Sequence, residues 1–374
     1  MKILFTGGGS GGHILPIIAV VRELRRSYQG KDLHIYYMGP SDAFGDILLS
    51  QEGMKVFVTK AGKIRRYWGM KAFFQNIFDL FFQTPLGILK AFRILFFLSP
   101  DLVFSKGGYG AFPATIAGFL LGIRIFLHES DIMPGLVNRI AGKFATEIFT
   151  SFPYTPSFSP KKILLVGNPI RREMLTGSVQ DATRLFKLVN EKPILLILGG
   201  SRGAQPINDM LLLILNEALE QFEIIHQAGE QNVRQVRTEA KVVVDKEHEK
   251  YYHPVSFLSE TELRHAYAAA DVIVSRAGSG SIFEIAALAK PSILIPLPDS
   301  AQNHQLKNAY AYAKTGAALV LEQSNLTPRF FLERVKYVVF DQKEFEKMSK
   351  AALHFARPEA ARIIAQYIIE YVVR

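Results

Sequence analysis

The chain has 374 residues, 49% of them hydrophobic, which is enough to build two packed domains. It contains no cysteine, which excludes disulfides and thiolate metal sites and favours a reducing, cytosolic compartment. The net charge of +10 favours an anionic partner, which could be nucleic acid, an anionic membrane surface or a phosphorylated small molecule.

Short apolar runs alternate with amphipathic stretches along the chain. The first run lacks the basic start, apolar stretch and cleavage site of a signal peptide, so we predict a strand there. The predicted strands, in chain order, are residues 2–6, 34–38, 102–105, 124–128, 147–151, 162–166, 193–199, 222–227, 272–275 and 292–296. Helical patterns lie between them, for example at residues 17–28. Near-continuous apolar strands separated by helices indicate an α/β fold with parallel sheets covered on both faces.

A strand, a glycine loop and a helix follow one another twice. KILFTGGGSGG opens the chain and PILLILGGSRGAQPIND begins at residue 193, and each is typical of the first βα unit of a doubly wound domain. The polar, proline-bearing residues 151–162 predict the boundary. We therefore predict two Rossmann-like domains separated by a cleft, residues 1–162 and 163–356. An amphipathic helix at about 357–374 could pack back on the first domain.

The first glycine loop, residues 7–12, suits an anion, because glycine lets a ligand approach the backbone and a helix start offers free N–H groups. The loop also satisfies G-x-G-x-x-G. Dinucleotide binding would need an acidic residue at the end of the second strand, but that strand ends at Met38-Gly39 and Asp42 arrives late. A nicotinamide oxidoreductase and a purely structural turn stay open as weaker alternatives.

A third glycine segment, VSRAGSGSIFE at residues 274–284, follows an apolar strand and opens a helix. Hydroxyls and amides at a helix N-terminus suit a diphosphate, and Glu284, about one turn in, could accept hydrogen bonds from a ribose diol. The alternative is that Glu284 only complements the helix dipole. The sequence has no D-x-D pair and no P-loop, so we expect no metal and no cofactor.

Long motifs resemble those of the MurG family, in order from residue 7 to about 318. They are GGGSGGHILP, SKGGYGAFPATIAG, HESDIMPGLVNRIAGKFA, VGNPIRREM, LILGGSRGAQPIND, HQAGE, SRAGSGSIFEIAALAKPSILIPLP and HQLKNAYAYAKTGAA. The resemblance implies a GT-B fold and transfer of GlcNAc from UDP-GlcNAc to the C4 hydroxyl of MurNAc in lipid I, with inversion, giving lipid II for peptidoglycan synthesis. It implies a peripheral enzyme on the cytoplasmic face of the bacterial plasma membrane. The nucleotide sugar would bind mainly to the C-terminal domain and the lipid acceptor to the N-terminal one. A GT-B enzyme with a different lipid or polyol acceptor is the nearest alternative.

The resemblance also implies substrate-binding residues. Those matching donor contacts in the first loop are Ser10, Gly11 and Gly12; those near the diphosphate are Arg171 and Ser201; the residue whose backbone reads uracil is Leu258. The phosphate and ribose loop comprises Ser279, Gly280, Ser281, Ile282, Phe283 and Glu284, and Gln305 matches a glutamine that holds the GlcNAc hydroxyls. Asp131 stands where many members have Asn, so its contact with a sugar could differ, because a carboxylate accepts but cannot donate.

An inverting displacement needs a base near the attacking hydroxyl and charge relief at the departing UDP. His13 should lie at the start of the first helix, where the dipole favours the neutral imidazole that a base requires. We predict that His13 is the base or positions the hydroxyl; the alternative is that it caps the helix or holds the loop. Glu129 is a weaker candidate for the base, and the favoured interpretation is that it only braces the glycine loops. His128 is predicted to be structural.

Residues 61–100 carry Lys63, Arg65, Arg66, Lys71, Lys90 and Arg93 against Asp79 alone. Charges interrupt the apolar run, so we expect a poor transmembrane span and an interfacial membrane contact. The predicted contacts are Trp68, Phe74, Phe78, Phe81 and Phe82; the alternative is that this face is core. A nucleic-acid partner is not favoured, because the charge lies beside phenylalanines and no recognition motif is visible.

Overall fold

The structure, a computed structural model, describes residues 1–9, 11–62, 69–153, 155, 157–200 and 203–373. It contains two compact units. Unit 1 comprises Met1–Arg171 and Pro358–Arg374, and unit 2 comprises Arg172–Arg357.

Unit 1 alternates strands and helices, as the apolar runs predict. Its first seven elements are β1 (Lys2–Thr6), α1 (Gly11–Ser27), β2 (His34–Gly39), α2 (Ala43–Gln51), β3 (Lys55–Val58), α3 (Met70–Phe78) and α4 (Thr84–Leu98). They are followed by β4 (Leu102–Ser105), α5 (Phe112–Leu120), β5 (Arg124–Glu129), α6 (Leu136–Ala141), β6 (Glu147–Thr150) and β7 (Ile163–Leu165). A π-helical turn, Asp79–Gln83, joins α3 to α4 without a break.

The strands of unit 1 form one parallel sheet in the order β3-β2-β1-β4-β5-β6-β7. Lys2 pairs with His34 on one side of β1, and Ile3 pairs with Leu102 on the other. The central strands are buried on both faces because their residues are almost all apolar. Because β7 pairs with β6, unit 1 continues past residue 162, where the sequence placed the boundary, and ends at Arg171.

Unit 2 repeats the pattern. Its first elements are α7 (Val179–Phe186), β8 (Ile194–Leu198), α8 (Gln205–Gln221), β9 (Glu223–Gln227), α9 (Val233–Val243), β10 (Tyr252–Val255) and α10 (Glu260–Ala269). They are followed by β11 (Val272–Ser275), α11 (Ser279–Ala287), β12 (Ser292–Leu294), α12 (His304–Ala313), β13 (Ala318–Val320), α13 (Pro328–Phe340) and α14 (Gln342–Phe355). The strands pair in parallel in the order β10-β9-β8-β11-β12-β13. This is the doubly wound order of a Rossmann domain.

The last helix, α15 (Ala360–Val373), belongs to unit 1. Ile364, Ala365 and Ile368 are buried in the same apolar cluster as α1. The ring of Tyr371 lies 4.9 Å from that of Phe126 in β5, centroid to centroid. The helix therefore closes one face of the first sheet.

Candidate active site

Each sheet has a topological switch point, where the strand order reverses. In unit 1 it lies between β1 and β4, and in unit 2 between β8 and β11. The chain leaves all four of these strands through glycine-bearing loops, which begin at Gly7, Lys106, Gly199 and Arg276. Ligands of doubly wound sheets bind at the carboxyl ends of the strands at such points.

His13 lies in the first turn of α1, as predicted, in a slot made by two glycines. A Cβ atom added to Gly8 would lie 3.0 Å from Nδ1 of His13, and one added to Gly108 would lie 2.9 Å from Nε2. Gly108 also has a φ of +78°, which favours glycine. The imidazole of His13 fits here because Gly8 and Gly108, which lie against it, have no side chains.

A buried lysine joins three segments of unit 1 at the same edge. Lys106, which is 2% exposed, places Nζ 2.7 Å from Nδ1 of His128 and 3.4 Å from Oδ1 of Asn168, and it also donates to Oγ of Ser130. Nε2 of His128 lies 3.0 Å from the carbonyl oxygen of Gly167, which fixes the proton on Nε2. Sequence analysis missed Lys106, although a lysine directly after a short, mostly apolar strand can signal a buried charge.

The carboxylate of Glu129 is used within the protein. It accepts hydrogen bonds from the backbone N–H of Asp131 at 3.0 Å, the backbone N–H of Gly135 at 3.3 Å and Nδ2 of Asn138 at 2.8 Å. Its side chain is buried. These contacts brace residues 129–135, whereas the sequence analysis expected Glu129 to brace the glycine loops.

Burial and neighbouring charges bring the pKa values of Lys106 and Glu129 close to neutral pH. Burial lowers the pKa of Lys106 to about 8, against the opposing effect of the Glu129 and Asp131 carboxylates. Burial, with the Asp131 charge, raises the pKa of Glu129 to about 7. The pKa of His128 lies well below its usual value because of burial and then the Lys106 charge, so its imidazole is neutral.

In unit 2, α11 begins at Ser279, directly after Gly278, and carries the predicted phosphate and ribose loop. Ser279 is buried, whereas Gly280 and Ser281 are partly exposed. The side chains of Ile282 and Phe283 lie in the core, so these two residues can offer a ligand only their backbone. A free helix N-terminus with small residues is suited to a phosphate group.

Glu284 lies on the second turn of α11 and is 9% exposed. Oη of Tyr267, on α10, donates to Oε2 of Glu284 at 3.2 Å. The tyrosine ring is buried, so this bond fixes the carboxylate from within the unit. Sequence analysis did not find Tyr267, since its partner lies on another helix.

The loop after β8 is shaped by two glycines with positive φ, Gly200 and Gly203. A Cβ atom on Gly203 would lie 2.1 Å from the carbonyl oxygen of Ala228, so no larger residue fits. Nε2 of Gln227 donates to the carbonyl oxygen of Gly200 at 2.9 Å. The loop is thus tied to the end of β9.

Two further predicted residues take different positions in unit 2. Leu258 is buried in the apolar cluster on one face of the sheet, which leaves its backbone for the predicted role with uracil. Gln305 lies in the first turn of α12, and its Oε1 accepts the backbone N–H of Leu297 at 2.9 Å. The preceding Gln302 and Asn303 both have positive φ, a strain that is common at ligand-binding loops.

The remaining predicted site residues divide by position. Gly11 and Gly12 open α1, Arg171 is buried at the end of the first part of unit 1, and Asp131 is partly buried in the segment that Glu129 braces. Ser10, Ser201 and Trp68 lie outside the described residues. Among the residues that are described, no group of three or more His, Asp or Glu side chains could hold a metal ion.

The phenylalanines of α3 and the π-helical turn face outwards. Phe74, Phe78, Phe81 and Phe82 are 66%, 54%, 65% and 58% exposed, so this face is not core within the described part of unit 1. Gly87, Ala91 and Leu95 of α4 are buried, and α4 packs against α5. Since the π turn keeps the helix continuous, Phe73–Leu98 is long and apolar enough to cross a membrane by length and composition alone.

Two doubly wound units, each with glycine loops at its switch point, have the architecture of the GT-B fold. The models of the N-terminal and C-terminal domains of glycosyltransferase family 28 match residues 3–150 and 194–366. The chain belongs to this family and is a glycosyltransferase, and the GT-B fold predicted from the sequence is confirmed.

Individual relatives and solved structures support the family and the fold. A Clostridium kluyveri protein, named as a UDP-N-acetylglucosamine–N-acetylmuramyl-(pentapeptide) pyrophosphoryl-undecaprenol N-acetylglucosamine transferase, is 35% identical over 98% of this chain and 99% of its own length. The crystal structure of MurG from Acinetobacter baumannii matches with a TM-score of 0.74, at 24% identity over 99% of both chains. The UDP-GlcNAc 2-epimerase of Neisseria meningitidis, solved with UDP-GlcNAc bound, matches with a TM-score of 0.69 at 16% identity, over 99% of this chain and 100% of its own. The resemblance to the MurG family is confirmed.

Proposed function

We propose that this protein transfers GlcNAc from UDP-GlcNAc to the C4 hydroxyl of MurNAc in lipid I and so makes lipid II. The observation that carries the proposal is the 35% identity with a relative of that name over 98% of the chain. The switch-point loops supply what a sugar nucleotide needs, which is a helix N-terminus, small residues and a buried carboxylate at Glu284.

In this reaction the acceptor oxygen forms a bond to the anomeric carbon while the bond from that carbon to the diphosphate oxygen breaks. The electron pair leaves with UDP, and the proton of the hydroxyl goes to a base. His13 suits this role better than Glu129, because its ring lies at a helix start at the switch point, whereas the Glu129 carboxylate already accepts three hydrogen bonds. In unit 2, α11 would hold the diphosphate by its N-terminus and the ribose by Glu284.

We propose that the acceptor reaches the enzyme from an anionic membrane surface, on which residues 73–98 lie rather than span. One side of α4 is committed to α5, and the other side exposes phenylalanines and leucines beside the exposed Lys90 and Arg93. Exposed apolar side chains with neighbouring cations suit the interface between headgroups and acyl chains. The enzyme would then be peripheral, on the cytoplasmic face, with no need for nucleic acid.

The test of the reaction is UDP release by the purified protein with UDP-GlcNAc and a lipid I analogue, with UDP-GalNAc as the comparison donor. We expect UDP only when UDP-GlcNAc and the acceptor are both present. Binding of UDP-GlcNAc without acceptor-dependent turnover would move the function to a GT-B enzyme with another acceptor.

The test of the membrane contact is co-sedimentation with anionic vesicles at low salt. Phe78→Asp should reduce the bound fraction severalfold, because it places a charge among the apolar side chains that would enter the interface. Leu353→Asp, at a 62% exposed leucine of unit 2, is the matched control and should bind like the wild type. Equal binding by the wild type and Phe78→Asp would count against this surface.

A further inference from the structure

Lys106 is a buried cation whose three hydrogen-bond partners are neutral. They are Nδ1 of His128, Oγ of Ser130 and Oδ1 of Asn168. An ammonium group has three N–H donors, and here each meets an acceptor, whereas a neutral amine would leave one acceptor facing a lone pair. Because His128 keeps its own proton on Nε2 for Gly167, the charged form of Lys106 fits this cluster.

The charges that act on Lys106 come from the next strand of the sheet. Lys106 follows β4, and Glu129 and Asp131 lie at and just beyond the end of β5, which pairs with β4. Both carboxylates interact electrostatically with the ammonium group and with each other. The other titratable groups that face this region are the neutral His128, also on β5, and His13 of α1, which lies against Gly108.

Glu129 and Asp131 are two residues apart, and Glu129 is buried, so their mutual repulsion is weakly screened. The same segment is tied together by Glu129, which accepts the backbone N–H groups of Asp131 and Gly135. The brace works best when Glu129 is ionised, since a carboxylate is a stronger acceptor than a carboxylic acid. A nearby cation would keep Glu129 ionised beside a second carboxylate.

We propose that Lys106 is a positioning residue, whose buried ammonium group offsets the repulsion between Glu129 and Asp131 and so holds residues 129–135 in place for a substrate sugar. The last clause rests on the proposed function, in which Asp131 contacts a sugar. Lys106 itself is too deeply buried to touch substrate and acts through Ser130 and Glu129.

The experiment is a double-mutant cycle with Lys106→Met, Asp131→Asn and the double variant, using acceptor-dependent UDP release between pH 6 and 9. Lys106→Met should lower kcat/KM for the acceptor at least tenfold at pH 7 and move the acid limb of its pH profile upwards by about one pH unit, because Glu129 then ionises later. In the Asp131→Asn background, Lys106→Met should lower kcat/KM less, and shift the acid limb less, than it does in the wild type. A loss that is independent of pH and unchanged by Asp131→Asn would make Lys106 a packing residue and overturn the proposal, as would full activity of Lys106→Met.

A second readout separates this inference from the proposed function. Thermal unfolding of the same four proteins at pH 7 needs no substrate. Asp131→Asn should raise the unfolding temperature more in the Lys106→Met background than in the wild type, and Lys106→Gln is substituted if Lys106→Met does not fold. If the wild type shows no turnover with lipid I but this coupling is present, the proposed function fails and the role of Lys106 stands. Equal effects in both backgrounds overturn the role of Lys106, whatever the substrate.

Discussion

The two units share one strand order over six strands, to which unit 1 adds a seventh, but they differ in chemistry at the carboxyl ends of their strands. Unit 1 holds Lys106 and Glu129 there, whose pKa values lie at about 8 and about 7. Unit 2 holds His226, with Nδ1 2.8 Å from Oη of Tyr252 and Nε2 3.0 Å from Oδ1 of Asn208. Burial lowers the pKa of His226 to about 3, so this network is uncharged near neutral pH. Lys106 and Glu129 of unit 1 can therefore change protonation near neutral pH, whereas the His226 network of unit 2 cannot.

This difference suggests a division of labour between two copies of one architecture. A reaction that moves a proton needs groups that titrate near the working pH, whereas a site for a nucleotide needs fixed dipoles and fixed hydrogen bonds. Substitutions in unit 1 should therefore act mainly on kcat and its pH dependence. Substitutions in unit 2 should act mainly on the KM for UDP-GlcNAc.

The largest effect is expected for His13→Ala. Loss of a general base costs about 10²- to 10⁴-fold in kcat, and we expect kcat to fall by about 10² or more with little change in the KM for UDP-GlcNAc. His34→Ala, at an exposed histidine at the start of β2, is the control and should leave both constants unchanged. Steady-state kinetics with UDP-GlcNAc and a lipid I analogue provide the measurement. An undiminished kcat for His13→Ala would rule out a role as the base.

Gly108→Ala should reduce kcat about tenfold without removing any ionisable group. The new Cβ would lie 2.9 Å from Nε2 of His13 and would displace the imidazole. Gly122→Ala is a matched control, because Gly122 also has positive φ, +68°, but nothing lies within 4 Å of its Cβ position. Both variants should lose about 1–3 kcal/mol of stability from the strain of positive φ, measured by denaturant unfolding. If both lose activity equally, the glycine slot is not what positions His13.

Tyr267→Phe should raise the KM for UDP-GlcNAc severalfold and leave kcat nearly unchanged. It removes the hydroxyl that fixes Glu284, a bond worth about 1.5–3 kcal/mol when the acceptor is charged, of which part is lost to relaxation. Tyr312→Phe is the control: its ring is equally buried, and its hydroxyl has no hydrogen-bond partner among the described residues. Replacing the donor ribose by 2′-deoxyribose should weaken binding to Tyr267→Phe less than it weakens binding to the wild type. An effect on kcat alone would place Glu284 in the chemical step instead.

The pH dependence of stability should show opposite slopes from the two units. The pKa of Glu129 is raised from 4.5 to about 7 in the folded protein, so its contribution to the free energy of unfolding falls as pH rises through that window. The pKa of His226 is lowered from 6.5 to about 3, so its contribution is lost as pH falls from 6.5 towards 3. Urea unfolding should show that Glu129→Gln removes the first slope and His226→Asn the second, each change about 3–5 kcal/mol across its window. A Glu129→Gln protein with the wild-type slope would contradict the assigned cause.

Apolar runs were enough to predict the central strands, since strands buried on both faces must be apolar throughout. The glycine loops could be predicted from the glycine motifs that follow these strands. The edge strands β3, β10 and β13 were missed. Their burial is only partial, and β10 contains Pro254, which argues against a strand unless the strand lies at an edge, as β10 does. The helix α1 begins at Gly11 rather than residue 17, and the low helix propensity of glycine hides this start in the sequence.

Single site residues that stand on loops could be proposed from motifs, but their partners could not. Lys106 contacts His128 and Asn168, which lie 22 and 62 positions further along the chain, and Tyr267 contacts Glu284 from another helix. Such pairings are set by the order of strands in the sheet, which no local pattern contains. The exposure of Phe74, Phe78, Phe81 and Phe82 likewise depends on which face of α4 meets α5.

The most direct test of the division between the units is the pH profile of acceptor-dependent UDP release, analysed separately for kcat and for the KM for UDP-GlcNAc. Our account predicts a kcat that rises with pH along an acid limb, which Lys106→Met moves upwards, and a donor KM that stays flat between pH 6 and 8. A flat kcat with a donor KM that titrates in this range would contradict it, because proton transfer would then not limit the step and the ionisable groups of unit 1 would have no part in it.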